Sequence, residues 1–374
     1  MNKIQEILSD LIAIRTDDKT KPNTEFVEYI CRILSEHNVL YKRISNPNDI
    51  QENIIAGIGV QELKNIHTGL VLSAHMDTVP ANPKDWDANP FQTRLINNNL
   101  YGRGTVDMKY FIAVVLSMVD ELKKAGIPIF LLFSCDEETD VNGIQTLISF
   151  LEMRNIKPKY ALVGEPTHFN LCISNRGYAG FTTIIKGISA HSGNPDLGVN
   201  AIYIASKIAS YIEELNKQYA KDRTTLNVGV IQGGEGRNLV PSEVSIDWEI
   251  RYDSDAIKSE LLNKIKTLQK SLIGDYNDSH IYLKEKENLP PFEKHPDSRL
   301  VQIVQNILKT EVFSLPYATE AGFFQKNDIE TLVCGAGDEQ LAHSSSERIH
   351  TDDLIKYRNF LIDFIHKIRQ DLTA

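Results

Sequence analysis

The sequence predicts an α/β fold: a mainly parallel sheet covered by helices on both faces, with a smaller α+β module inserted into it. Three observations support this. Helical stripes alternate with short apolar runs over the first third of the 374 residues. A β-α-β-β-α-β order containing one plainly half-exposed strand fills the middle of the chain. The opening pattern then resumes and runs to the end.

Along the chain, Ile4, Ile7, Leu8, Leu11 and Ile12 recur at helical spacing, and Phe26, Ile30, Ile33 and Leu34 repeat the pattern. Apolar runs at 70–73, 129–134 and 160–163 read as strands, separated by helical stretches at 108–125 and 143–154. Strands divided by helices of this length run parallel, because only a long crossover returns the chain to the same sheet end. The style changes after Gly177. Residues 179–188 read as a strand, 199–215 as a helix and 225–231 as a second strand. In the next segment Val244, Ile246, Trp248 and Ile250 alternate with Ser245, Asp247, Glu249 and Arg251, the mark of an antiparallel strand with one wet face. A helix at 255–272 and a strand at 280–284 complete the split βαβ order. Leu289-Pro-Pro-Phe292 is a stiff connector, after which a helix, strands and a final helix at 353–369 return to the first style. The resulting boundaries are 1–176 and 288–374 for the α/β domain and 177–287 for the insertion.

Composition places the chain among ordinary globular proteins, at 42% hydrophobic and 24% charged. Its longest apolar runs are too short to cross a bilayer. Glu6 and Asp10 interrupt the region where a secretory signal needs an apolar core, so a cytoplasmic location is expected. Cys31, Cys135, Cys172 and Cys334 lie at no metal-binding or disulfide-framework spacing, and Cys135 and Cys334 fall in apolar runs. A formal charge of −10 argues against nucleic acid or anionic membrane as partner and suits small cationic or zwitterionic substrates.

Five places put metal-type ligands at strand ends or turns of the α/β domain. They are His75 with Asp77 in "SAHMDTVP", Asp107 in "GRGTVDMKY", Glu137 and Glu138 in "CDEETD", Glu165 in "VGEPT" and His343 in "LAHSSSE". Open parallel sheets form their sites outside the carboxyl ends of the strands, where four of these fall. Two imidazoles and several carboxylates, with no thiolate, suit zinc or cobalt, and one bridging carboxylate can serve two ions. Carboxylates gathered this densely would repel each other, so a cation is their natural counter-charge.

Six motifs, "SAHMDTVP", "GRGTVDMK", "CDEE", "VGEPT", "GISAHSG" and "TEAGFFQ…GAGDEQLAH", stand in the order and spacing of the dinuclear zinc aminoacylase and carboxypeptidase G family of metallopeptidases, which the chain resembles over nearly its whole length. The resemblance implies a zinc-exopeptidase-like, three-layer α/β/α catalytic domain with an inserted ferredoxin-like lid and dimerisation domain. It implies two divalent metal ions, zinc foremost and cobalt as the alternative, with Asp107 bridging, His75 and Glu165 on one ion and Glu138 and His343 on the other. Asp77 is then the partner that orients His75, and Glu137 the general base. In the insertion, His191 is expected to reach the active site of a partner copy, Asn238 to hold substrate and Arg251 to grip an α-carboxylate. Arg176 either shares that grip or anchors the hinge.

The implied reaction is hydrolysis of a small N-acylated amino acid by a homodimer. Details of "VGEPT" and "ATEAGFF" tilt the substrate toward N2-acetyl-L-ornithine; N-acetylcitrulline and succinyl-diaminopimelate are the alternatives within the chemistry. A non-catalytic amino-acid-binding relative is the alternative outside it, and such a relative is expected to lose ligands, whereas here every position is filled. One departure stands out. Tyr110 occupies the place after "DMK" where the family usually has glycine, and it either narrows the site or packs outward.

Overall fold

The computed structural model describes residues 2–46, 50–276, 278–294 and 297–373. Two units emerge from the chain's own contacts. One comprises Met1–Ser174, Glu293–Ser314 and Thr319–Ala374; the other comprises Asn175–Phe292 and Leu315–Ala318.

The first unit is built on a mixed sheet whose strands run in the order Leu40–Ser45, Glu52–Ile58, Ile129–Ser134, Leu70–His75, Tyr160–Val163, Glu330–Val333, Leu171–Asn175. Its centre, from Ile129–Ser134 to Glu330–Val333, is parallel, as the crossover argument requires. The flanks are antiparallel. Leu40–Ser45 is a largely exposed edge bearing Lys42 and Arg43, whereas Glu52–Ile58 is buried from Asn53 to Ile58.

Every residue of Leu70–His75, Ile129–Ser134 and Tyr160–Val163 is buried, so both sheet faces are covered. Leu70, Leu72 and Ala74 share one cluster with Leu8, Phe26, Phe111 and Phe364 from the helices Lys3–Ala13, Thr24–Glu36, Lys109–Ser117 and Thr351–Leu372. Side chains alternate along a strand, so Ser73 and His75 belong to the opposite face. Helix Asn142–Met153 packs against Glu52–Ile58 and Ile129–Ser134. The single helix expected over 108–125 is two, Lys109–Ser117 and Val119–Lys123; at their junction the Ser117 hydroxyl turns back to the Val114 carbonyl at 2.7 Å. All four cysteines are buried, reduced thiols. Among the described residues no helix is long and apolar enough to cross a membrane.

The second unit is a four-stranded antiparallel sheet in the order Thr225–Gly233, Glu243–Tyr252, Gly177–Lys186, His280–Leu289. Helices Ala201–Tyr219 and Asp255–Asp275 bury their stripes on one face, against Val244, Ile246, Trp248 and Ile250. This is the ferredoxin-like arrangement. Trp248 stacks on Phe181 at 4.5 Å and donates its indole N–H to Thr183, contributing about 0.5–1.5 kcal/mol beyond area burial. The last strand carries the unit on to Leu289, and its first segment ends at Phe292.

Candidate metal centre

The first unit delivers its polar side chains to one place because its parallel strands all end there. His75 is the last residue of Leu70–His75, Glu137 and Glu138 follow Ile129–Ser134, and Glu165 follows Tyr160–Val163. His343 lies in the loop after Glu330–Val333, and Asp107 immediately precedes helix Lys109–Ser117. Each leaves a buried apolar run just as the chain turns, so a charged residue can face a crevice without unpaired backbone beside it.

Asp107 is the hinge of the cluster. Its Oδ1 lies 2.9 Å from His75 Nε2, and its Oδ2 lies 3.1 Å from His343 Nε2. Glu165 approaches His75 Nε2 at 3.9 Å, and Glu138 lies 3.0 Å from His343 Nε2. Ligand atoms of His75, Asp107 and Glu165 come within 4.8 Å of one another, as do those of Asp107, Glu138 and His343, and those of His75, Glu137 and Glu138. The one carboxylate thus faces both imidazoles, with a separate glutamate on each side.

His75 Nδ1 donates to the backbone carbonyl of Asp77 at 2.9 Å, so Nε2 is the nitrogen turned to the cluster. The backbone of Asp77 thus takes part in holding the ring. Asp77 Oδ1 stands 3.6 Å from Nδ1. The carboxylate oxygens instead accept the backbone N–H groups of Glu137 at 3.2 Å and Glu138 at 3.0 Å. Those two donors sit in a tight turn with no strand partner, and a buried carboxylate is the acceptor that satisfies both.

The electrostatics describe a donor set short of positive charge. Burial, then the charge of Asp107, pushes the Glu165 carboxyl up to about 8. Burial likewise raises Glu138, with Asp107 adding to it. Glu137 is pushed well above the carboxylate range by burial, with Glu165, Glu138 and Glu320 adding to it and His75 opposing. Hydrogen bonds to Asp107 and Glu138 lift the His343 imidazole to about 10. Burial opposes charge on Asp107, yet hydrogen bonds from His343 and His75 hold its carboxyl below the ordinary range. The Nε2 protons of the two imidazoles stand where cations would sit between the same donors. Mixed nitrogen and oxygen ligands in two overlapping triads fit a pair of borderline divalent ions.

Tyr110 follows neither expected course. It points into the core, fully buried, edge-on to Phe111 and Tyr357, and its hydroxyl donates to the Gly164 carbonyl at 2.7 Å, one residue before Glu165. Two glycines make room for this packing. A Cβ on Gly164 would meet the Phe111 ring at 2.0 Å, and one on Gly335 would meet the Tyr110 hydroxyl at 2.1 Å.

Sequence reasoning passed over two buried carboxyls, Glu320 and Glu347. Ser134 donates to Glu320 at 2.5 Å and Ser73 at 3.3 Å, and burial raises the Glu320 carboxyl to about 7. Glu347 is completely buried, four residues after His343. The available signal was a lone acid in each motif, "TEAG" and "HSSSE", with no solvent-facing pattern around it.

In the second unit, His191 and Leu239 pair across a two-stranded ribbon, and the Ser192 N–H donates to the Asn238 carbonyl at 3.0 Å. This brings His191 and Asn238 together on the surface of that unit. The His191 Nδ1 accepts the Gly193 N–H at 2.9 Å, which leaves the ring proton on Nε2. Arg251 pairs with Glu249 at 3.1 Å and lies over the Tyr178 ring. The Arg176 guanidinium donates to the carbonyls of Pro316 and Arg223, at 2.9–3.1 Å, both within the same unit.

Residues 71–367 match the peptidase family M20/M25/M40. Two curated relatives, both named acetylornithine deacetylase, are 28% identical over 97% of each chain (Buchnera aphidicola subsp. Acyrthosiphon pisum, strain Tuc7) and 31% identical over 80% of each (Pectobacterium atrosepticum). Among solved structures, a tripeptidase from Staphylococcus aureus superposes with a TM-score of 0.78 at 18% identity, over 98% of both chains. A Bacillus subtilis protein described as a dinuclear metal-binding peptidase gives 0.69 at 13% identity, again over 98% of this chain and 98% of its own.

Proposed function

The chain belongs to peptidase family M20/M25/M40, and on that ground we propose that it hydrolyses the amide bond of N2-acetyl-L-ornithine, releasing acetate and L-ornithine for arginine biosynthesis. The observation that carries this reading is Asp107 facing His75 with one oxygen and His343 with the other, each imidazole having its own glutamate. The substrate comes from the relatives named acetylornithine deacetylase. A cavity of about 280 Å³ beside the cluster supports a cationic substrate, since Asp17, Asp18, Asp77, Asp136 and Glu138 line it against the single amine of Lys19.

In this reading His75 and Glu165 would hold one cation, Glu138 and His343 a second, and Asp107 would serve both. When bound, two divalent cations, zinc foremost and cobalt as the alternative, would supply Lewis acidity toward the amide carbonyl and toward water. Glu137 takes the proton from the attacking water and returns it to the departing amine. Its burial beside other carboxylates supports that role, because both raise the carboxyl above its ordinary range and so strengthen it as a proton acceptor. Asp77 holds Glu137 in place through the backbone. His191 Nε2–H donates to the oxyanion that develops at the carbonyl, Asn238 on the same ribbon steadies the substrate, and Arg251, released by Glu249, binds its carboxylate.

The reading includes a homodimer formed through the inserted unit, in which His191 serves the neighbouring copy. Its support is the free edge of Thr225–Gly233, where Val230 and Ile231 are exposed, together with Leu197, Ile202 and Tyr203 exposed on the same unit.

The test compares rates on N2-acetyl-L-ornithine, N-acetylcitrulline and N-succinyl-diaminopimelate, before and after chelation and after return of zinc or cobalt. Expected are the highest kcat/KM on acetylornithine, loss on chelation and recovery with metal. Faster turnover of either other substrate overturns the substrate assignment, and activity that survives chelation overturns the metal centre.

A further inference from the structure

Glu347 carries no role in the chemistry above, yet its carboxylate accepts four hydrogen bonds. It is completely buried. Its Oε1 accepts three donors of one loop, the backbone N–H groups of Gly104 at 3.0 Å, Val106 at 2.8 Å and Asp107 at 3.1 Å. Its Oε2 accepts from the Arg103 guanidinium at 2.6 Å. A second nitrogen of Arg103 reaches the His343 carbonyl at 3.4 Å. The Gly102 N–H also donates to the Glu347 carbonyl at 3.2 Å, continuing the pairing of Asn99–Tyr101 with Arg348–His350.

These contacts have a specific geometry. The loop 103–107 curls its N–H groups toward one point, a concavity that attracts an anion, and the anion supplied is a side chain from the segment that bears His343. His343 itself holds a left-handed backbone, φ 61°, which a residue with a side chain adopts only when its surroundings impose it. Asp107 and His343 lie far apart in sequence, and Glu347 with Arg103 is the buried link between their loops.

We propose that Glu347, acting with Arg103, is the positioning residue that sets Asp107 against His343 and so pre-forms the cation site those two share with Glu138. The inference rests on the reading of Asp107, Glu138 and His343 as metal ligands. It adds an asymmetry. The other site shares Asp107 but takes its remaining ligands, His75 and Glu165, from strand ends, with Tyr110 bracing the turn before Glu165, so weakening the Glu347 link loosens the ion at His343 and Glu138 more than the other.

The test titrates full-length, chelator-stripped protein with cobalt(II), reading visible absorption and heat, for the wild type, Glu347→Gln and Arg103→Lys. The glutamine keeps an oxygen for the three N–H groups but loses the charge facing Arg103. The lysine keeps the charge and gives up the reach to His343. Melting of the metal-free proteins is followed in parallel. Expected are two ions per wild-type chain and, in both variants, one ion bound about 10–100-fold more weakly with the other, which shares only Asp107 with this link, weakened distinctly less. If Glu347→Gln fails to fold, Arg103→Lys decides by the same criterion. Two ions with unaltered affinities, or equal losses at both sites tracking a lowered melting temperature, overturn the proposal while leaving the metal centre intact. A wild-type chain that binds fewer than two ions overturns the metal reading itself.

Discussion

Asp77 accepts the backbone N–H of Glu138 at 3.0 Å, so a residue two places beyond a metal-type histidine governs the turn that carries the neighbouring acids. The same carboxylate holds the Glu137 N–H at 3.2 Å. Replacing Asp77 by Asn leaves one acceptor oxygen for two donors and turns an amide N–H₂ toward one of them. The variant is expected to keep its fold and lose about 10–100-fold in kcat, with KM little changed. Steady-state kinetics checks this, and an unaltered kcat would deny Asp77 any positioning role.

Glu137→Gln removes the proton acceptor without removing a proposed metal ligand. Cobalt titration is expected to give two ions per chain, while kcat falls by about 10²–10⁴. Turnover near the wild-type rate would sink the general-base assignment.

Tyr110 anchors the turn that leads to Glu165. Tyr110→Phe loses one hydrogen bond to the Gly164 carbonyl and is expected to cost about 1 kcal/mol of stability. Tyr110→Gly, which restores the family residue, empties a buried space and is expected to cost about 3 kcal/mol or more. Denaturant unfolding measures both, and a Gly variant as stable as the wild type would refute the packing role.

Glu320 gives the metal-free protein a pH dependence with a fixed sign. Its carboxyl rises from 4.5 to about 7 on folding, chiefly through burial, so the native state binds the extra proton between those values. This contribution to stability therefore falls as pH rises through that window. Glu320→Gln removes the slope, and above neutral pH the stripped variant is expected to exceed the wild type by on the order of 2–3 kcal/mol. Unfolding curves at pH 5 and pH 8 provide the comparison; the same difference at both would show that the proton is not involved.

Legibility in the sequence follows from locality. His75, Glu137, Glu138 and Glu165 each end or follow a run whose burial is written in its own apolar residues, and the parallel centre of the sheet is legible for the same reason. The inserted unit is equally plain, because Val244 through Ile250 alternate strictly. Glu347 and Glu320 were not legible. A carboxylate is buried only where distant donors meet it, and Gly104 and Ser134 lie far away in the chain. Strand Leu40–Ser45 was missed because an edge strand is selected for polarity. The split role of Asp77, carbonyl to His75 and carboxylate to Glu137, is a matter of side-chain direction that residue spacing does not encode.

Strand Glu330–Val333 fits between Tyr160–Val163 and Leu171–Asn175, although the ribosome makes it only after the whole insertion. Until then a nascent chain carries the ribbon edge of Tyr160–Val163 without its neighbour, and it carries four of the clustered acids without His343. At about 5–20 residues per second this interval lasts on the order of 10–30 s. The emerging polypeptide therefore presents an apolar, pairing-competent margin throughout that time, and holdase chaperones recognise margins of this kind. Shortening the insertion would shorten the exposure, so the length of a segment folded as its own unit sets how long that margin stays open during synthesis.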